Sequence, residues 1–510
     1  MSVIRRNLIA NFAGQGWIAL MGFIFVPFYL AFIGAEGYGL VGFFVLLSST
    51  LSLLDMGFDV TATRQIALFL VSGEDEKRRI AAQLRSIESL FWLIAVFAGA
   101  LTAAGAPWIA VYWLKVDAPT IPHVVAGIRL MAVALVVQFP IDFYSGCLVG
   151  LEKQVKLNTI NCVSATLRGV GAVLALWLIS PTIQTFFVWQ CILSLFTVIW
   201  LKRTLRKSIG NRGAFRWIDM EALKQVGRFT AGVGGINVLA YLLTQVDKII
   251  LSKVLPLGDF GYYTLAWSLG TFAYRLTGPI FNAFYPQIAQ LVTQSDPEQL
   301  QNPGPHSELV RLYLKASRVM AVAIVPLSIW LAFFGKPLLA LWTHNPAIAQ
   351  SAFIAVGLIA LGTMFNGLMH VPYGLQLARG WLSLAFWTNT IAVILIVPLT
   401  YYFGTQYGLS GAAIPWLSLN LGYVVVGAPL MYKKLLRNTK WDWYRTSVVY
   451  PILQAALLTA AFYFLALQVT SYWGAIVLMG MTLVVSVGVG ALSSGLIKMQ
   501  ELRRLYRAYV

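Results

Sequence analysis

Residues 38–67 read YGLVGFFVLLSSTLSLLDMGFDVTATRQIA. The stretch is apolar and free of proline, yet it carries Asp55, Asp59 and Arg64. About 20 residues at ~1.5 Å each cross a bilayer core of ~30 Å, so this segment is a membrane helix with charge built into it. It also has an echo. Tyr38-Gly39 recurs as Phe260-Gly261 and Gln65-Ile66-Ala67 as Gln287-Ile288-Ala289, both at an offset of 222 positions. Arg6 has Arg228 at that same offset. One membrane unit is therefore used twice.

The rest of the chain has the same character. It has 510 residues, 59% hydrophobic and 11% charged, where soluble domains carry about 25% charged residues. Fourteen apolar spans are expected, at 8–33, 37–70, 86–112, 123–149, 156–178, 182–201, 228–254, 258–292, 312–342, 347–376, 381–403, 409–432, 446–469 and 472–497. A β-barrel would show short alternating segments instead. The first run has no charge from Leu8 to Ile33 and is too long for a signal-peptide core, so it reads as a retained helix. Spans two and eight exceed the hydrocarbon thickness and must tilt, kink or project.

The fold class is thus an all-α polytopic membrane protein of about 14 helices. Further repeat matches extend the duplication. Pro107–Trp113 resembles Pro337–Trp342, and Asn161 and Asn389 fall at matching places in spans five and eleven. Each half has six spans and begins on the same side. That makes a parallel repeat about an axis along the membrane normal, with a cavity between lobes. The expected division is 1–202 for the first lobe, 203–227 for a cytoplasmic linker, 228–436 for the second lobe and 437–510 for two added spans with a basic tail.

The net charge of +18 reports topology. With the N-terminus inside, only Lys115, Lys253 and Lys336 of the 37 lysines and arginines fall on the outer side. Arg129, Arg168, Lys248 and Arg275 lie within spans, and the remainder face the cytoplasm, as the positive-inside rule requires. These basic residues meet anionic headgroups; no aromatic-basic pattern of a nucleic-acid module is present. Trp217 and Ile218 sit among the basic residues of the linker, which reads as lying along the headgroups. The Pro-, Gln- and Asn-rich loop at Ser295–His306 reads as flexible. Cys147, Cys162 and Cys191 lie in apolar runs and have no metal-ligand spacing. The four histidines form no metal or catalytic set. Neither a phosphate-binding glycine loop nor a nucleophile elbow occurs, so an enzyme is not expected and ATP does not drive transport within this chain.

A charge at mid-membrane costs about 2.5–3.5 kcal/mol and so faces a cavity or a partner. The candidates are Asp55, Asp59, Arg129, Asp142, Arg168, Asp247, Lys248 and Arg275. Arg168 and Arg275 fall near the middle of their spans and come from opposite halves. Paired guanidinium groups suit a diphosphate; the structural alternative is that each arginine pairs with an aspartate and holds helices together. Arg129 and Lys248 are further substrate-binding candidates, although Asp247-Lys248 also reads as a structural or gating pair. Asp55 and Asp59, one helical turn apart, suit proton or sodium coupling or pairing with Arg64. Asp142 joins that coupling or gating set. Tyr274, one of five tyrosines in spans seven and eight, suits a sugar ring or helix packing. No cofactor is expected.

These residues also resemble a family. Gly34-Ala-Glu-Gly-Tyr-Gly39, Leu53-Leu-Asp-Met-Gly57 and Arg64 look like the opening of Wzx-type O-antigen flippases. Asp247-Lys-Ile-Ile-Leu-Ser252 and Gly261-Tyr-Tyr263 resemble the start of that group's second half. The group belongs to the multidrug/oligosaccharidyl-lipid/polysaccharide exporter superfamily. The resemblance implies two six-helix lobes, a cationic cavity and alternating access. It implies transfer of an undecaprenyl-diphosphate-linked oligosaccharide from the inner to the outer leaflet of a bacterial cytoplasmic membrane, with both termini cytoplasmic. The implied partners are that lipid-linked oligosaccharide, membrane lipids, a polysaccharide polymerase and a chain-length regulator, with a monomer as the working unit. Lipid II flippases of the family also have fourteen spans, but the uncharged first span here departs from that branch. Two competing functions stand beside this one. A drug/cation antiporter of the superfamily would bind through acidic residues, and a polymerase or ligase would need a large outer loop that the sequence lacks.

Overall fold

The computed structural model describes residues 3–53, 58–114, 116, 118–209, 241–296, 301–302, 304, 307–381, 383–469 and 471–496; at 3–10, 12, 58–60, 64 and 472 only the backbone is described. Asp55, most of the linker with Trp217 and Ile218, the first part of span seven, part of the 295–306 loop and the basic tail lie outside these residues. So do the side chains of Asp59 and Arg64.

The described residues are helical throughout, with no strand among them. Among the described residues, eleven helices are long and apolar enough to cross a membrane. The chain divides into two compact units, Met1–Gly261 and Tyr262–Val510.

The first unit opens with α1 (Val3–Ile24) and α2 (Val26–Leu53). The turn expected between spans one and two falls at Gly34, whose φ of 69° and ψ of −177° break the helix. That region of backbone space is essentially closed to residues with a Cβ. Next come α3 (Phe58–Val71), α4 (Glu74–Trp108), α5 (Ile121–Gln138), α6 (Pro140–Gly150), α7 (Gln154–Leu178), α8 (Ile183–Ile209) and α9 (241–254). Pro140 separates α5 from α6, because its ring and missing N–H interrupt the ladder inside expected span four. Polar side chains then join the helices, as they do where no hydrophobic force favours one apolar surface over another. Asn158 on α7 donates to Asn11 on α1 at 2.6 Å, Asn11 donates to Gln154 at 2.8 Å, and Trp17 donates to Thr166 at 2.9 Å. Helix α9 joins this unit through Tyr241 and Thr50 at 2.5 Å and through Trp113 donating to Ser252 at 3.0 Å.

The repeated glycines meet within this unit. A Cβ added to Gly39 would overlap the carbonyl oxygen of Leu257, and one added to Gly261 would overlap that of Ala35. The echo in the sequence is thus a reciprocal backbone contact.

The second unit contains the remainder of α10 (Leu257–Gly270), then α11 (Tyr274–Gln294), α12 (Glu308–Thr343), α13 (Pro346–Leu368), α14 (His370–Ala378), α15 (Ser383–Ala412), α16 (Ile414–Gly422), α17 (Tyr450–Gln468) and α18 (Tyr472–Ser493), with short helical turns between α16 and α17. The expected long span eight is kinked into α10 and α11. After Thr271, residues 272–276 switch to a tighter i to i−3 pattern, with Phe272 bonding to Leu269 and Arg275 to Phe272. The core of this unit is built on α12 around Tyr313, Met320 and Ile324, backed by Tyr432 and Trp443. Tyr313 and Tyr432 meet through their hydroxyls at 2.7 Å.

Candidate functional site

Inside the first unit, six helices, α1, α2, α5, α6, α7 and α8, line a cavity of about 500 Å³, within the ~300–1,000 Å³ typical of ligand pockets. Helical spacing decides what enters it. On α2, Val41, Phe44, Val45, Ser48, Leu51 and Ser52 recur every three or four residues and share one face. Helix α7 presents Asn161, Ser164 and Arg168 by the same rule. Gln190 and Thr197, two turns apart, come from α8. At the Pro140 bend, Gln138 and Asp142 turn the same way from α5 and α6.

Arg168 is the charge that matters here. It lines the cavity, and no hydrogen bond or ion pair joins its guanidinium to any of the described residues. Among the described residues no aspartate clasps this arginine; the side chains of Asp55 and Asp59 lie outside them. Tyr29, another lining residue, lies within electrostatic reach. Asp142 lines the same cavity and has an interaction of its own.

The other candidates among the described residues fall elsewhere. Arg129 is exposed on α5 and is not among the residues lining this cavity. Lys248 is held by its neighbour: Nζ lies 3.2 Å from Oδ1 of buried Asp247 and donates to the Thr244 carbonyl at 2.7 Å. In the second unit, Arg275 is exposed at the start of α11. Its neighbour Tyr274 packs its ring 6.1 Å from His370 and 6.5 Å from Trp416. Beside this aromatic group, Asn366 donates to Asn420 at 2.6 Å and Tyr423 donates to Asn389 at 2.9 Å. The two asparagines matched by the repeat differ in use: Asn161 lines a cavity, whereas Asn389 accepts a hydrogen bond.

Two sets of residues escaped the sequence reading. The amides Gln138 and Gln190 are neutral residues inside apolar runs, so a search for charge passes over them. Their signal is the helical register that they share with Asp142 and Thr197. The second set is a network at one end of the unit. Glu88 accepts from Tyr144 at 2.6 Å and pairs with Lys202 at 2.6 Å, joining α4, α6 and α8. Glu88 stands near the start of an expected span and reads from sequence as a loop charge.

The first unit is thus an apolar helical lobe whose mainly apolar cavity carries a few polar side chains and two charged ones, Asp142 and Arg168. The polysaccharide biosynthesis protein family matches residues 4–292, and the chain belongs to that family. The chain is 20% identical over 417 residues to the putative O-antigen transporter of Shigella flexneri, a match covering 82% of this chain and 94% of that protein. Its fold is similar to the lipid II flippase MurJ in its inward closed conformation, with a TM-score of 0.61 at 14% identity over 96% of this chain and 99% of the other. It is equally similar to the inward-facing conformation of a multidrug resistance MATE family transporter of the MOP superfamily, with a TM-score of 0.61 at 13% identity, covering 86% and 96% of the two chains. The family and these neighbours are transporters and flippases, not enzymes.

Proposed function

We propose that the chain moves an undecaprenyl-diphosphate-linked oligosaccharide, an O-antigen or exopolysaccharide repeat unit, from the inner to the outer leaflet of a bacterial cytoplasmic membrane by alternating access. The observation that carries this reading is Arg168, a guanidinium that lines a cavity in an apolar lobe and has no ion pair among the described residues. A cation inside a membrane-spanning helix is costly unless a counter-charge faces it, and phosphate oxygens match its planar fork. Family membership and the relative named as an O-antigen transporter support the same substrate class.

In this reading Arg168 holds the anionic head of the lipid. Arg275 and Tyr274 are the second unit's proposed contributions, while Arg129 and Lys248 stand away from the cavity or already paired. Ion coupling through Asp55, Asp59, Asp142 or Asp247, with Arg64, is part of the proposal. So are the fourteen spans, the division at 202, 227 and 436, the cytoplasmic termini, the monomer, and association with a polymerase and a chain-length regulator. An antiporter of organic cations is the second reading, and Asp142 on the cavity wall is what favours it. An arginine on the same wall opposes it.

The test is translocation of lipid-linked oligosaccharide in proteoliposomes, comparing the intact protein with Arg168→Ala at equal incorporation. Transport by the intact protein and its loss in a folded variant uphold the reading. Normal transport by Arg168→Ala removes this residue from the site. Export of organic cations in place of the lipid substitutes the antiporter.

A further inference from the structure

The cavity has a second chemical feature besides Arg168. The amide oxygens of Gln138 and Gln190 and the hydroxyl of Ser48 are buried, line the cavity and have no hydrogen-bond partner among the described residues. Gln190 is only 3% exposed. Buried polar atoms in folded proteins are almost always satisfied, and each exception needs a reason. Such residues are not needed to close the helices here, because the neighbouring Thr197 already bonds to Ser164 at 2.9 Å. They point to something that arrives with donors.

The chemistry narrows what that is. The unbonded amide oxygens accept and cannot donate, so they themselves do not bind a phosphate oxygen, whereas the amide nitrogens and the Ser48 hydroxyl can serve either kind of partner. The amide oxygens do bind a hydroxyl. We infer that Gln138, Gln190 and Ser48 form a subsite that reads hydroxyl groups of the sugar, separate from the guanidinium that takes the anionic head. The two parts divide one amphipathic ligand between them: acceptors for the hydroxylated ring and Arg168 for the charge. With Arg168 taken by the anionic head, the remaining charged lining residue, Asp142, would repel an acidic sugar, so the ring that the wall suits is a neutral one. This inference rests on the flippase reading above and adds the part of the substrate that the amides recognise. It also makes Gln190 a specificity-determining residue, since a site built to bond a hydroxyl discriminates against an analogue that lacks it.

The experiment uses the full chain in lipid nanodiscs and two probes, undecaprenyl diphosphate and the same lipid carrying a neutral hexose trisaccharide. Binding of each is measured for the native chain, Gln190→Leu, Gln138→Leu and Arg168→Ala, together with the apparent Tm. The native chain is expected to prefer the glycosylated lipid. Each leucine variant should weaken that lipid about tenfold, the scale of a lost hydrogen bond, and leave the bare diphosphate unchanged. Its Tm should hold or rise, because a side chain with a buried, unbonded amide oxygen is replaced by an apolar one of similar size. Arg168→Ala should weaken both lipids.

Equal binding of both probes by the native chain overturns the subsite, as does an unchanged preference in the leucine variants. A fall in Tm with equal loss of both lipids overturns it too, by making the amides structural. Loss of both lipids in Arg168→Ala alone leaves the flippase reading standing without the subsite. Failure of the native chain to bind either lipid removes both. Binding of tetraphenylphosphonium that is lost in Gln190→Leu would assign the carbonyls to a cation and overturn the inference.

Discussion

At the residue scale, the difference between Arg168 and Lys248 is one of partners, not of charge. Both lie in apolar spans, but Lys248 has Asp247 at 3.2 Å and the Thr244 carbonyl at 2.7 Å, whereas no hydrogen bond or ion pair joins Arg168 to the described residues. Sequence shows both cations and suggests Asp247 as a partner for Lys248, but it leaves open whether Arg168 binds a ligand or an aspartate. Because a guanidinium presents a planar fork and an ammonium a point charge, Arg168→Lys should keep the charge and lose the bidentate grip. Transport in proteoliposomes should drop about tenfold, less than in Arg168→Ala; equal activity of the lysine variant and the native chain would show that charge alone suffices. Glu88 makes the opposite kind of prediction. Its side chain is 21% exposed and serves both Tyr144 and Lys202. Glu88→Gln leaves the ammonium without its counter-charge, which should cost about 1–3 kcal/mol and appear as a lower apparent Tm. The binding preference between glycosylated and bare lipid should be unaffected.

At the element scale, the architecture depends on where helices break and where they touch. Gly34 has a backbone conformation that only glycine adopts readily, so Gly34→Ala should cost about 1–3 kcal/mol. Gly39 and Gly261 are different: their backbones are helical, and the constraint is a neighbour's carbonyl oxygen where a Cβ would go. Backbone cannot step aside as a flexible side chain can, so Gly39→Ala and Gly261→Ala should each cost about 1–3 kcal/mol by overpacking. Gly16, with nothing within 4 Å of an added Cβ, is the control: alanine there should be neutral or mildly stabilising. Equal Tm for all of these variants would show that the close contact carries no stability. These helices also show what could be read from sequence. The repeat marked Gly39 and Gly261 as equivalent because close backbone approach constrains residue type locally. The spans were visible because apolar length is set by the bilayer. The kink at 272–276 was only implied by excess length, since the hydrogen bonds that switch register leave no compositional mark. The cavity was legible in its cation and not in its amides, because neutral polar residues are common in helix packing and only the three-dimensional arrangement shows which go unbonded.

At the scale of the whole molecule, direction of transport is a question of topology. Positive charge is concentrated in segments that would share one face of the membrane, and α8 ends in Arg206 and Lys207. The 27 residues of α8 extend ~40 Å at ~1.5 Å each, enough to place Pro181, just before it, and Lys207, near its end, on opposite faces. Both residues are exposed, as is Lys433 between α16 and α17. The three native cysteines are free, Cys147 fully buried and Cys162 and Cys191 partly so, and can be replaced by alanine or serine to give a silent background. A membrane-impermeant maleimide added to intact cells should then label Pro181→Cys. It should reach Lys207→Cys and Lys433→Cys only after the membrane is opened. The reverse pattern would put the basic segments outside, against the rule that fixed the orientation. It would also reverse the leaflet from which the cavity is loaded, so a flippase acting from inner to outer leaflet requires Pro181 to be the residue that labels first.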